Sequence, residues 1–236
     1  MRSVPGAVAT GSMRMLNPRR TRSLPLPVLT SSKHDAQHNS KYMDQPLVIG
    51  VGGFTSDVGK TTLVCELLRA FPGWEAIKTT RGHYRSCGKD PHACCVSHLL
   101  SGEPLVRSGR KETYEAGKDT GRYWDAGASN VHWLIATDSQ IEKGIQQALA
   151  RVKSPGVFIE GNSFSEFVHT DYFVMVRRAD TEKIKSSARR ALNKATALYV
   201  NDNAVSLSDV PRIPVFTPSD LPALIDGITR SITARV

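Results

Sequence analysis

The stretch Gly53-Phe54-Thr55-Ser56-Asp57-Val58-Gly59-Lys60-Thr61-Thr62 gathers glycines, small polar residues, a lysine and hydroxyls in one short run. Small residues let successive backbone N–H groups curl around phosphate oxygens, and a helix that starts at such a bend adds the positive end of its dipole. In that chemistry Lys60 reaches the terminal phosphates of a nucleoside triphosphate, GTP or ATP, and the Thr61 hydroxyl ligates Mg²⁺. Gly53, Thr55, Ser56, Asp57, Val58, Gly59, Lys60, Thr61 and Thr62 are therefore the candidate phosphate-binding residues. A Gly-Lys-Thr tripeptide alone says little; a preceding buried strand and a following amphipathic helix are the context that gives it weight.

A second candidate is Glu160 in Val157-Phe158-Ile159-Glu160-Gly161, an acid leaving a buried strand just before a glycine. The carboxyl ends of such strands are where α/β sheets hold their ligands, so Glu160 is a candidate Mg²⁺ ligand. For the base, Ala197-Leu198-Tyr199-Val200-Asn201-Asp202 ends a strand with an amide and an acid, and Asn201 and Asp202 are candidate purine contacts. The guanine-reading pattern Asn-Lys-x-Asp is absent, because Asn193-Lys194-Ala195-Thr196 carries Thr in the acid's place.

These residues need an α/β frame. From Gln45 onward apolar runs alternate with helix-spaced patterns, which predicts a three-layer α/β/α fold with a mostly parallel sheet. Strands are predicted at Leu47-Val48-Ile49-Gly50-Val51, Trp74 to Thr79, Val131 to Ala136, Val157 to Glu160, Tyr172 to Val176, Ala197 to Asn201 and Ile213 to Phe216. Helices are expected from about Thr61 to Ala70, Asp119 to Ala126, Asp138 (as N-cap) to Val152, Thr181 to Lys194 and Asp220 to Thr233. Residues 80–112 read as irregular. Trp74, Trp124 and Trp133 read as core, and the basic run Lys183, Lys185, Arg189, Arg190, Lys194 as a solvated helix face.

The chain has 236 residues and a net charge of +9, with 40% hydrophobic and 22% charged residues, the balance of a soluble globular protein. Seven Lys/Arg against two Asp place +5 of that charge within residues 1–44, which weakens a nucleic-acid reading of the whole. Those residues, with Pro5, Pro18, Pro25 and Pro27 and no sustained periodicity, read as a disordered basic tail. It is either an organelle transit peptide or an upstream start, with Met43 opening the domain proper over 45–236; the second reading is the simpler. No apolar run is long enough to span a bilayer, and cysteine usage fits a reducing cytosol.

Several separated motifs resemble the molybdopterin-guanine dinucleotide biosynthesis adapter family (MobB): the loop itself, Ala76-Ile77-Lys78-Thr79-Thr80, Gly117-Lys118-Asp119-Thr120-Gly121-Arg122 leading to Ala126-Gly127-Ala128, and Val157 to Gly161. They occur in the family's order between about Leu47 and Tyr172. Five residues separate Gly53 from Gly59 where the common motif has four, and that longer loop resembles dethiobiotin synthetase. The resemblance implies a GTP-binding adapter with weak hydrolysis that assists a cofactor-biosynthesis enzyme. It makes Lys60, Thr61, Lys78, Asp119, Arg122 and Glu160 the nucleotide and magnesium site. In a synthetase-like chemistry Lys78, with Lys60, would stabilise charge on the transferring phosphoryl group, and Asp119 and Glu160 would be further metal ligands beside Thr61. A homodimer stays open, although Thr55 stands where relatives with a dimeric switch use a second lysine. The alternative is an ATP-dependent ligase or kinase acting on a small carboxylate, as in the synthetase. Arg81-Gly82-His83 replaces the adapters' paired histidines, and Asn162-Ser163-Phe164 replaces the synthetase's glycine-rich turn.

Cys87, Cys94 and Cys95 lie close together with His83, His92 and His98, a set that could bind Zn²⁺ or another soft metal. The spacing lacks paired Cys-x₂-Cys units, and adjacent Cys94 and Cys95 are poorly placed to ligate one ion, so plain thiols are the simpler reading. Elemental analysis of chain purified without chelators is expected to return less than about 0.2 equivalents of zinc; near-complete occupancy would establish a structural metal instead.

Overall fold

The computed structural model describes residues 45–82, 96–180, 184–202 and 212–235. In chain order the elements are β1 (Leu47–Gly53), α1 (Lys60–Ala70), β2 (Glu75–Arg81), β3 (Leu105–Ser108), α2 (Arg110–Thr113), α3 (Asp119–Asp125), β4 (Val131–Ala136), α4 (Ile141–Leu149), β5 (Gly156–Glu160), β6 (Tyr172–Arg177), α5 (Ser186–Leu192), β7 (Ala197–Val200), β8 (Val215–Phe216) and α6 (Leu221–Thr233). The strands form one sheet in the order β3-β4-β2-β5-β1-β6-β7-β8. Every neighbouring pair is parallel except β3 with β4.

Parallel strands are buried on both faces, which is why they read as unbroken apolar runs. Alternate side chains serve two cores. Ile49, Val51, Phe158, Val174 and Val176 face Leu63, Leu67 and Leu68 of α1, Tyr123 of α3, and Leu224 and Ile228 of α6. Val48, Ile77, Leu134, Val157, Ile159 and Phe173 face Ile141, Ile145 and Ala148 of α4 and Ala188 and Ala191 of α5. Helices on both sides of the sheet make the three layers, and the mostly parallel α/β architecture expected from the sequence is what the chain adopts.

Several boundaries differ from the sequence reading. The first strand runs on to Gly53, the helix expected to Val152 ends at Leu149, the one expected over Thr181 to Lys194 is described as Ser186–Leu192, and the strand expected from Ile213 is Val215–Phe216. Three further differences have identifiable reasons. The stretch 80–112 is not wholly irregular: β3 lies within it, antiparallel at the sheet edge, and its few residues bury only Val106, too little to show an alternation. The N-cap before α4 is Thr137 rather than Asp138. Its side chain and that of Gln140 form a reciprocal capping box around a single 3₁₀ turn at Asp138–Gln140, which precedes the α-helix. β2 runs on to Arg81 because Thr80 and Arg81 still pair with Ile135 and Ala136.

At the end of the sheet where the parallel strands begin, a buried polar network closes the fold. Glu75 Oε2 sits 2.7 Å from His132 Nε2, and His132 Nδ1 lies 2.8 Å from Ser108 Oγ. Glu75 Oε1 accepts from the backbone N–H groups of Lys153 and Ser154, each at 2.9 Å. Burial works to raise the Glu75 pKa, but the hydrogen bond from His132 and those two N–H groups prevail and hold it below its usual value. Its stabilisation is therefore fully present above the unfolded-chain pKa of 4.5 and is lost as pH falls through the lower folded value. Glu75→Ala leaves His132 Nε2 and two amides without a partner and is expected to cost about 2–4 kcal/mol in urea unfolding at pH 7, with a smaller difference from the parent chain once pH falls below the folded Glu75 pKa.

Candidate functional site

The loop between β1 and α1 leaves the sheet beside β5, the strand paired with β1 in the register Val51↔Glu160. Two backbone positions make the bend. Gly59 takes φ +97°, and a Cβ there would stand 2.5 Å from the Asn201 side-chain nitrogen, so glycine satisfies both the left-handed conformation and the close approach. Asp57 adopts φ 58°, uncommon for a residue with a side chain. Val58 turns its side chain into the core while its backbone stays in the loop. At the base, Asn162 clasps the end of β1: its Oδ1 accepts from Gly53 N–H at 2.8 Å and its Nδ2 donates to Gly53 O at 2.9 Å.

Below the loop lies a cavity of about 410 Å³ lined by Ser56, Asp57, Gly59, Lys60, Thr61, Thr62, Lys78, Asp119, Arg122 and Glu160. Glu160, 2% exposed, is the hub. One carboxylate oxygen receives the Lys78 ammonium; the other accepts from Thr61 Oγ1 at 2.8 Å and from the Tyr123 hydroxyl. Lys78 also meets Asp119 Oδ2 at 2.6 Å. Lys60 Nζ donates to Thr55 O at 3.1 Å, inside its own loop, and Arg122 donates to Thr62 Oγ1 at 3.1 Å. Gly161 is required beside this hub, since a Cβ there would come within 1.9 Å of Thr79 Oγ1, which itself donates to Glu160 O at 2.7 Å.

The charges follow from this packing. Burial lowers the Lys60 pKa against the opposing pull of Glu160, so the ammonium lacks the solvation that an anion in the cavity would replace. For Lys78 burial also works downward, but Glu160 and Asp119 outweigh it and raise the pKa above its usual value. Asp119 is the counterpart: burial works upward, and the Lys78 charge and hydrogen bond outweigh it and lower the pKa. Burial, reinforced by Glu160, pushes the Tyr123 phenol well above its usual pKa and keeps it a donor.

Of the residues singled out in the sequence, Ser56, Asp57, Gly59, Lys60, Thr61, Thr62, Lys78, Asp119, Arg122 and Glu160 converge on the cavity. Gly53 and Thr55 support it through backbone groups. Asn201 lies over Gly59, whereas the Asp202 carboxylate accepts from Ala179 N–H at 3.3 Å and does not line that cavity. Cys87, Cys94, Cys95, His83 and His92 lie outside the described residues, and among the described residues no group of three or more His, Cys, Asp and Glu side chains could hold a metal. Residues 1–44 and Lys183 lie outside them too.

Sequence reasoning missed Tyr123, Asn162 and Lys185. A tyrosine within an apolar helix face looks like core, and nothing local reveals that Asn162 bonds to Gly53. Lys185 was assigned to a solvated helix face, yet its Nζ donates to Ser56 Oγ at 2.8 Å; Arg190 pairs with Glu166 at 2.6 Å and Lys194 reaches Ser165 O. Trp74 is core as expected. Trp124 and Trp133 are only partly buried and each donates to a threonine, Thr113 and Thr80 respectively, at 2.9 Å.

No protein-family model matches the chain, and no curated protein matches it. Three of the solved structures to which it is similar, all at low identity, are as follows. LpxK from Aquifex aeolicus, in complex with ATP, is 18% identical, with 78% of this chain and 59% of that one covered and a TM-score of 0.46. FtsY, the signal recognition particle receptor from Elizabethkingia anophelis, in complex with GDP, is 16% identical over 73% and 56%, with a TM-score of 0.36. Bacillus subtilis MobB is 14% identical over 78% and 97%, with a TM-score of 0.37. The chain thus spans less than two thirds of LpxK and of FtsY. Among the described residues, no helix is long and apolar enough to cross a membrane.

The opposed shifts of Lys78 and Asp119 set their pH behaviour. Asp119 contributes stability above its unfolded pKa of 3.8 and loses it as pH falls through the lower folded value; Lys78 contributes below 10.5 and loses it as pH rises through the higher folded value. In a carbon-detected NMR titration Asp119 is expected to titrate below 3.8 in the parent chain and to move upward in Lys78→Met. An unchanged Asp119 titration would rule out Lys78 as the cause.

Proposed function

We propose that this chain binds a nucleoside triphosphate together with Mg²⁺ in the cavity under the β1–α1 loop. The observation that carries the reading is the 2.8 Å bond between Thr61 Oγ1 and Glu160, side by side with the desolvated Lys60 in one cavity. A threonine hydroxyl donating to a carboxylate keeps its lone pairs for a cation, and the oxygen donors Thr61, Glu160 and Asp119 suit a hard divalent ion. Magnesium held there would neutralise charge on the phosphates. Lys60 and Arg122 bind the polyphosphate, Lys78 fixes Glu160 and Asp119 in place, and Asn201 over Gly59 sits at the edge where a base would emerge.

Within that reading a slow nucleotide-loaded adapter, like the molybdopterin-guanine family the motifs resemble, is favoured over a fast enzyme. A general base needs a pKa matched to its task, and neither carboxylate here is free for that work. Glu160 already serves three donors, and Asp119 is held acidic by Lys78. Phosphoryl transfer to a small carboxylate is the second reading, favoured by a further cavity that adjoins Lys78 and Asp119.

Titration of the full chain with fluorescent ATP and GTP analogues tests the proposal. Binding is expected to require Mg²⁺, and Lys60→Ala to weaken it by roughly 30-fold or more, the loss of a charge-assisted phosphate contact at about 2 kcal/mol. Thr61→Ala is expected to keep weak nucleotide binding but to lose most of the Mg²⁺ dependence. Full affinity in Lys60→Ala would falsify the phosphate assignment. Slow phosphate release unaffected by added small acids supports the adapter; release stimulated by an acid supports phosphoryl transfer.

A further inference from the structure

Next to the phosphate cavity lies a second one of about 650 Å³, and Lys78 and Asp119 line both. Its volume is that of a small-molecule site. Beside Lys78 the wall continues over β4 and β3, where Trp133 pairs with Lys78 on one side and Arg107 on the other and the Arg107 guanidinium lies 5.8 Å from the centre of the Trp133 ring. Trp133 is fixed by its indole N–H donating to Thr80 Oγ1 at 2.9 Å, so the ring is a set surface rather than a mobile one. Arg107 is only partly exposed, and among the described residues no carboxylate pairs with it; Lys118, before α3, has no counter-ion either. The acids Glu112 and Glu115 also line the cavity; Glu112 already accepts from Ser108 N–H at 3.0 Å.

A partly buried cation without a counter-ion is costly, and a guanidinium lying over an aromatic ring keeps its in-plane N–H groups for a carboxylate or phosphate. The indole supplies a flat apolar surface beside that charge. We propose that this cavity takes a second ligand, a small planar molecule carrying a carboxylate or phosphate, with its ring beside Trp133 and its anionic group on Arg107 and Lys118. The ligand's role as companion to the nucleotide rests on the reading above; its binding does not.

Saturation-transfer NMR on the full chain with indole-3-acetate, phenyl phosphate and neutral indole tests this, with fluorescent-nucleotide binding measured on the same samples. At least one of the anions is expected to outperform indole. Its affinity is expected to fall roughly ten-fold in Arg107→Ala, the loss of one charge-assisted contact, and to fall also in Trp133→Leu, while nucleotide affinity stays at the parent level. Preference for indole-3-acetate or for phenyl phosphate assigns the anion as carboxylate or phosphate. Anions no better than indole, or undiminished in Arg107→Ala, overturn the proposal. Should Arg107→Ala also lose nucleotide binding, Lys118→Ala decides, and an unchanged anion signal there overturns it. A parent chain that binds the anions but no nucleotide leaves this site standing and removes the nucleotide reading instead.

Discussion

A carboxylate taken almost wholly out of water at the end of β5 is the constraint around which the site is arranged. Burying a charge is tolerable only when hydrogen bonds and an opposite charge replace its hydration, and Glu160 recruits these from three separate elements: Thr61 of α1, Lys78 of β2 and Tyr123 of α3. Those bonds fix where the first helix begins relative to the sheet, and so where the preceding loop must bend. Lys78 in turn draws in Asp119 and with it the start of α3. Position of the loop, direction of the helix and placement of the acids are thus consequences of one solvation requirement, met on a sheet whose parallel strands bring all these termini to one edge.

Much of this could be read from the chain. The buried strands β1, β5 and β6 announce themselves because both faces are covered, and their apolar runs end where the polar site begins. Lys60, Thr61 and Glu160 were visible because their types follow strand ends and glycines, a local pattern. What stayed hidden depends on distant contacts. Tyr123 is indistinguishable in sequence from a core aromatic until the carboxylate above it is known, and Lys185 belongs to the loop only because α5 packs where it does. β3 escaped because an edge strand with one buried side chain carries almost no pattern, and with it went the wall that holds Arg107.

The two ends of the strands handle buried polarity differently. At one, Glu75, His132 and Ser108 form a chain whose acid is also pinned by two backbone amides, an arrangement that ties a helix-to-strand connection to the core. At the other, Lys60 spends its ammonium on a carbonyl of its own loop and Arg122 on a threonine hydroxyl. Bonds of the second kind are readily exchanged for stronger ones to an anion, whereas the first kind has nothing better to exchange for. Replaceable contacts of this kind lie within the site, around the fixed Glu160 hub.

The Lys78–Asp119 pair stands as a party wall between two cavities. An occupant on one side that shifted either side chain would alter the field met on the other, and the two occupancies would then be linked. Such linkage is reciprocal by thermodynamic necessity: if a guest on the Trp133 side tightens the hold on phosphate, phosphate tightens the hold on that guest by the same factor. Were both cavities filled, one shared ion pair would lie against both guests at once.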